Sequence, residues 1–265
     1  MNRLRKALEK NNGKTILGAA VYFYDPIFLE ICLHLGYKAI WIEMEHAPIT
    51  FAQAADLCRM ASGHDMLTMI RIPDTRRESV LKAAECGPDM LDVPMIEDPA
   101  QMHELSKYAR FAPMGERGYF SVSRAVNYGI VDSVPQEQQQ LNHDLCLLGQ
   151  METATAVERV EELAAVPDVD LFIGPADLAA SLGHPGQTGH PDLQAAARRV
   201  IAAARKNDKM VATACGQNDY KFWLDAGVDL LYCVNDIVCL KSAADSALKY
   251  AQELIAEKAA CGVAR

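Results

Sequence analysis

The chain has 265 residues and a formal net charge of −9, with half its residues hydrophobic and 23% charged. That balance suits one large globular core, and the acidic excess argues against nucleic acid or an anionic membrane as the main partner. No segment reaches the roughly 18 uncharged apolar residues of a membrane span, and Met1 to Lys14 reads as a charged amphipathic helix without an apolar signal core, so the expected location is the cytoplasm.

In chain order, strand-like runs occur at Ile16–Tyr22, Ala39–Met44, Met66–Ile70, Met90–Val93, Leu145–Met151, Val169–Ile173, Met210–Ala214 and Leu230–Val234. Between them lie Ala/Leu-rich stretches of helical spacing, including Phe51–Ser62, Arg76–Cys86, Ala100–Tyr108, Val157–Ala165 and Leu193–Lys206, and Gly36, Gly87 and Gly227 supply turns before the next strand. Eight strands in βα alternation predict an α/β fold of the TIM (β/α)8 barrel type, a single domain over residues 1–265. One connection, about 94–144, is too long for a simple barrel and leaves the rim where a catalytic site is expected. The last helix, about 237–260, is longer than a barrel needs; packing on a neighbouring subunit and closing the barrel are both open. The eight cysteines (Cys32, Cys58, Cys86, Cys146, Cys215, Cys233, Cys239 and Cys261) are scattered and mostly within apolar runs, as buried free thiols are.

Candidate chemistry sits at strand ends. Leu145–Gly149 and Val169–Gly174 each lead to a carboxylate, Glu152 and Asp177, 25 residues apart, about one strand–helix–strand unit. Adjacent strand ends in a parallel barrel bring the two acids together, and two carboxylates with open positions suit a hard divalent cation such as Mg²⁺ or Mn²⁺. Each acid also has an ordinary explanation, Asp177 as a helix N-cap and Glu152 as a first-turn acid. The second strand ends in Glu43-Met44-Glu45-His46, where alternation places both acids on one face and His46 begins the loop, suited to proton transfer or to a plain cap. Arg71 follows the third strand and needs an anion, either a substrate oxygen or Glu43 or Glu45. Backbone N–H groups of the Gly174-Pro175-Ala176-Asp177 turn face the rim. No lysine falls at a strand's C-terminal end, which disfavours a Schiff-base aldolase, and no GxGxxG or P-loop is present, which disfavours a nucleotide cofactor.

Glu45-His46-Ala47-Pro48, Arg71, Gly115-Glu116-Arg117-Gly118, Gln150-Met151-Glu152-Thr153 and Gly174-Pro175-Ala176-Asp177-Leu178 together resemble the HpcH/HpaI aldolases, the metal-dependent (class II) pyruvate aldolases of the phosphoenolpyruvate/pyruvate barrel superfamily. The resemblance covers nearly the whole chain. It implies Glu152 and Asp177 as ligands of Mg²⁺, Mn²⁺ or Co²⁺. It also implies Gln150 and Ala176 beside a bound 2-oxo acid, Arg71 on its keto oxygen, and His46 as a proton-transfer group oriented by Glu43. The expected reaction is reversible cleavage of a 4-hydroxy-2-oxo acid into pyruvate and an aldehyde by a homo-oligomer, often a hexamer. Decarboxylation of oxaloacetate, or another lyase step on a 2-oxo diacid, is the alternative on the same site; a non-catalytic barrel serving binding or assembly is the other. The chain departs from the family pattern at Glu43-Met44, where Asp-Gly is usual, and at Asp92, where an apolar residue is usual.

Overall fold

A computed structural model describes residues 1–260; Cys261, and with it the end of the domain drawn to residue 265, lies outside the described residues. In chain order the elements are α1 (Arg3–Lys10), β1 (Ile16–Val21), α2 (Pro26–Leu35), β2 (Ala39–Glu43), α3 (Phe51–Ser62), β3 (Leu67–Arg71), α4 (Arg77–Glu85), β4 (Met90–Val93), α5 (Pro99–Ala109), α6 (Val134–Asp144), β5 (Cys146–Met151), α7 (Ala154–Glu158), α8 (Val160–Ala164), β6 (Asp170–Ile173), α9 (Pro175–Ser181), α10 (Pro191–Lys206), β7 (Val211–Ala214), α11 (Tyr220–Ala226), β8 (Leu230–Asn235) and α12 (Asp236–Ala260). All eight strands pair in parallel and close in sequence order, β8 returning to β1. This is the expected (β/α)8 barrel.

The strands are apolar on both faces because both are buried. Ile40, Ile42, Ile70, Leu91, Leu147 and Leu171 point outward under the helices, while Trp41, Met69, Met90, Leu148, Phe172 and Tyr232 fill the interior. Leu4 and Leu8 of α1 join the interior set and plug the N-terminal end. Gly18 is glycine for space: a Cβ there would stand 2.5 Å from Cδ1 of Tyr232. Gly36 and Gly227 take left-handed caps, with φ of 95° and 82°.

Three features differ from the sequence expectation. Arg71 belongs to β3 rather than following it, because its guanidinium has carboxylate partners inside the barrel. The predicted helix over Val157–Ala165 breaks at Arg159 (φ −100°, ψ 13°), whose guanidinium bonds to Glu97, Asp98 and Glu162. The long connection leaves the rim only briefly. After α5 it packs at the opposite, N-terminal end: Arg110 donates to Leu145 O, Arg117 pairs with Glu85, Arg124 reaches the carbonyls of Cys58, Cys86 and Gly87, and Asp144 pairs with Lys6 of α1. Its bulk therefore braces the barrel floor. The helix α12 does not close the barrel along its length, since every described residue from Leu240 to Ala259 is exposed. No helix among the described residues is long and apolar enough to cross a membrane.

Candidate active site

The C-terminal ends of the strands open on a cavity of about 480 Å³, lined among others by Tyr22, Trp41, His46, Arg71, Gln150 and Asp177. Arg71 is its fixed centre. The guanidinium is 5% exposed, donates from Nε to Glu43 Oε2 at 2.6 Å, lies 3.1 Å from Glu45 Oε2 through Nη1, and stacks 4.7 Å over the Trp41 ring. The register makes this possible: Glu43, Arg71 and Asp92 are direct neighbours on β2, β3 and β4.

Glu43 has a second task. Its Oε1 accepts the backbone N–H groups of Glu45 (2.6 Å) and His46 (2.9 Å), so the one carboxylate ties Arg71 to the loop that carries His46. The carboxylate beside the His46 ring is Glu45, with Oε2 3.6 Å from Nε2, rather than Glu43. The imidazole itself is largely open to solvent at the edge of the cavity.

Across the mouth stands the acid pair. Glu152 follows β5 directly and is 2% exposed; Oε1 accepts the Met95 N–H at 2.6 Å and Oε2 accepts from Gln150 Nε2 at 2.5 Å. Met95 adopts φ +55° to present that N–H. Thr153 is the N-cap of α7, and Gly174 caps α9 with Asp177 in its first turn, so neither acid serves as a helix cap. Burial raises the Glu152 carboxyl to about 7, with the nearby charge of Asp177 adding to the rise against the Met95 hydrogen bond. Gly174 leaves room for the Glu152 and Gln150 side chains, since a Cβ there would come within 2.5 Å of Glu152 Oε2 and 2.6 Å of Gln150 Nε2. Gln150 Oε1 is buried without a partner. Among the described residues no lysine, arginine or histidine forms an ion pair with Glu152 or Asp177. A buried carboxylate crowded by a second acid, with no basic partner, fits a divalent cation well.

A sequence profile of HpcH/HpaI aldolase/citrate lyase matches residues 21–226. The chain belongs to this family. A hydroxypyruvate/pyruvate aldolase of Sagittula stellata is 32% identical over 206 residues, covering 77% of this chain and 79% of its own. A 2-keto-3-deoxy-L-rhamnonate aldolase of Shigella boydii is 32% identical over 217 residues, covering 81% and 78%. Among solved structures, a family member from Burkholderia cenocepacia superposes with a TM-score of 0.86 at 30% identity, covering 95% of this chain and 100% of its own. These relatives are named as aldolases, which are carbon–carbon lyases.

Sequence reasoning did not single out Met95, Tyr22 or Trp41. Met95 acts through its backbone and carries no side-chain signal. Trp41 was findable, since strand alternation puts it two residues before Glu43 on the same inward face. Tyr22 lines the cavity at the end of β1, where burial and the charge of Glu43 raise its phenol.

Asp92 is fully buried, and neither of its oxygens has a hydrogen-bond partner. Burial pushes its carboxyl well above the usual range, Arg71 opposing. The folded chain holds this proton more tightly than the unfolded chain. The penalty is therefore absent below about pH 4 and grows as pH rises through the unfolded value toward the folded one. Asp92→Asn is expected to be more stable than the parent at pH 8, with the gap closing toward pH 4. Urea unfolding at the two pH values measures it; a gap independent of pH would remove the burial argument.

Proposed function

We propose that this mouth is the site of a divalent-metal aldolase that reversibly cleaves a 4-hydroxy-2-oxo acid into pyruvate and an aldehyde. The observation that carries the reading is the acid pair: Glu152 is buried within electrostatic reach of Asp177 with only N–H donors on its oxygens, and Asp177 lines one cavity together with the buried Arg71. Glu152 and Asp177 would hold the cation. Mg²⁺, Mn²⁺ and Co²⁺ all suit two carboxylates with open positions. When bound, the cation supplies Lewis-acid polarisation of the 2-oxo acid's carbonyl.

The chain's own residues do the rest. Gln150, with Oε1 free, and the first turn of α9 at Ala176 and Asp177 border the space for the 2-oxo acid. Arg71 offers its guanidinium to the keto oxygen, where negative charge develops, and because Glu43, Glu45 and Trp41 already fix it, little reorganisation accompanies the reaction. In cleavage the 4-hydroxyl gives up its proton, the C3–C4 bond breaks, and its electron pair forms the enolate of pyruvate. His46, at the open edge beside Glu45, is placed to take that proton and to return it in the synthetic direction. The resemblance to a hydroxypyruvate/pyruvate aldolase and a 2-keto-3-deoxy-L-rhamnonate aldolase supports pyruvate as the donor. Chelator-stripped protein given 4-hydroxy-2-oxo acids of different chain length should release pyruvate only after Mg²⁺, Mn²⁺ or Co²⁺ is restored. Release of CO₂ from oxaloacetate with no cleavage of any hydroxy-oxo acid would favour the decarboxylase alternative.

The same reading takes the chain as a homo-oligomer working in the cytoplasm. Its support is α12, which leaves Leu240, Leu248, Tyr250, Leu254 and Ile255 in solvent while α2 exposes Ile27, Ile31 and Leu35 at helical spacing. Removal of residues 241–265 is expected to leave a folded monomer. Light scattering on the parent and truncated chains checks it, and an unchanged number of subunits would exclude α12 from the contact.

A further inference from the structure

The 2-oxo acid takes only part of the cavity of about 480 Å³, the side carrying Arg71, Gln150 and Asp177. The ring of strands is completed by β7, β8 and β1, and β1 adjoins β2, whose following loop carries His46. This second wall includes Ala20, Tyr22, Gln217, Val234, Asn235 and Val238. His46 is placed to exchange a proton with the 4-hydroxyl, which derives from the aldehyde oxygen. The aldehyde carbon therefore lies near β2, and the rest of the aldehyde runs along the second wall.

That wall offers hydrogen bonds without charge. Among the described residues the Tyr22 hydroxyl, the Gln217 amide and Asn235 Nδ2 have no side-chain or backbone partner, Asn235 using only its Oδ1, on the Val238 N–H. Tyr22 is half-buried, and its ring centroid lies 6.2 Å from that of Trp41, the platform of Arg71. Arg71 is the sole guanidinium or ammonium group among the described lining residues, and Glu43 and Glu45 already hold it. Asp236 is fully buried behind the β1–β8 end of the wall, its carboxylate on the N–H groups of Tyr22, Phe23 and Ile237. A divalent cation and Arg71 together would bring three positive charges against four from Glu43, Glu45, Glu152 and Asp177, before the carboxylate of the 2-oxo acid is added. An anionic group on the aldehyde would meet repulsion here with no cation to offset it. The bland explanation is a polar rim that merely meets water. It suits Gln217, which is exposed. It does not account for Tyr22, a phenol packed beside Trp41 inside the mouth with no protein partner for its hydroxyl.

We propose that the acceptor is an uncharged aldehyde bearing hydroxyl groups, bound along the β7–β8–β1 wall with Tyr22, Gln217 and Asn235 on its hydroxyls. The inference rests on the aldolase reading and narrows its second substrate. In the synthetic direction C3 of the enolate bonds to the aldehyde carbon. The aldehyde oxygen takes the displaced electron pair and, from His46, a proton, which gives the 4-hydroxy-2-oxo acid. The tail of the aldehyde undergoes no chemistry, so the wall acts on selection alone: it hydrogen-bonds hydroxyls and repels a second anion.

The test offers the parent chain, with pyruvate and Mg²⁺ or Mn²⁺, three matched acceptors: glyceraldehyde, glyceraldehyde 3-phosphate, which adds an anion, and propanal, which lacks the hydroxyls. The kcat/KM for glyceraldehyde is expected to exceed that for each of the others by at least about tenfold. Raising the ionic strength should narrow the gap to the phosphate ester and leave the gap to propanal. Tyr22→Phe should shrink the glyceraldehyde-to-propanal ratio at least about threefold, and Gln217→Lys should raise the ratio of phosphate ester to glyceraldehyde at least about tenfold. Exchange of the pyruvate methyl protons, followed in the same samples, needs no aldehyde, so its absence would overturn the aldolase reading and this inference with it. Exchange that proceeds while the phosphate ester or propanal is used within about threefold of glyceraldehyde, or while both variants leave their ratios unchanged, would overturn the inference alone.

Discussion

Glu152→Gln is expected to cut metal-dependent turnover by at least about 10³-fold while the protein remains folded. The amide keeps the shape of the side chain and one acceptor for Met95 N–H or Gln150 Nε2, but removes the charge that would hold the cation. Fold stability should change little, because burial already favours the neutral form at this position, with the carboxyl raised to about 7. Asp177→Asn should lose a similar factor, and the double variant should be hardly worse than either single one, because the two acids act as one site. Steady-state kinetics alongside calorimetric Mg²⁺ or Mn²⁺ titration separates the two ways of failing. Lost activity with intact cation binding would assign the acids some other task. Retained activity would remove the site altogether.

Arg71→Lys is expected to lower kcat/KM by about 10²–10³-fold, mostly in kcat. A lysine keeps the charge but cannot reach Glu43 and Glu45 together while facing the substrate, and it loses the planar stack on Trp41. Arg71→Ala should lose at least as much activity and should also destabilise the fold by about 3–5 kcal/mol, since Glu43 is left buried with no cationic partner. The lysine variant is therefore the cleaner probe of chemistry. Turnover within about threefold of the parent in either variant would contradict the enolate role.

Much of the fold was legible because each strand announces itself as an apolar run of four to six residues followed by a stretch of helical spacing, several of which stop at a glycine such as Gly36, Gly87 or Gly227. All eight were placed within two residues of their bounds. The misreadings have local causes. Arg71 looked like a loop residue, since nothing in one strand reveals the carboxylates that the next strand supplies. The break at Arg159 comes from a guanidinium reaching back to Glu97 and Asp98, a long-range contact that periodicity cannot register. The long connection was expected at the catalytic rim because it starts there, but its arginines find their partners at the far end.

At the site, Glu43, His46, Arg71, Gln150, Glu152, Ala176 and Asp177 were legible as polar residues interrupting apolar strand ends, and the structure brings them to one mouth. Their detailed contacts were not. That Glu43 holds the backbone of His46 while Glu45 faces its ring depends on where β2 stops, and the Met95 N–H on Glu152 depends on a left-handed backbone at a methionine.

Exchange of the methyl protons of pyruvate in D₂O tests the enolate directly, because it requires no knowledge of the aldehyde. Chelator-stripped protein should leave the methyl signal intact, and added Mg²⁺ or Mn²⁺ should make it decay in the parent chain but not in Glu152→Gln or Asp177→Asn. A methyl signal that persists with every divalent ion tried, while the protein is folded and binds metal, would contradict pyruvate enolate formation at this mouth.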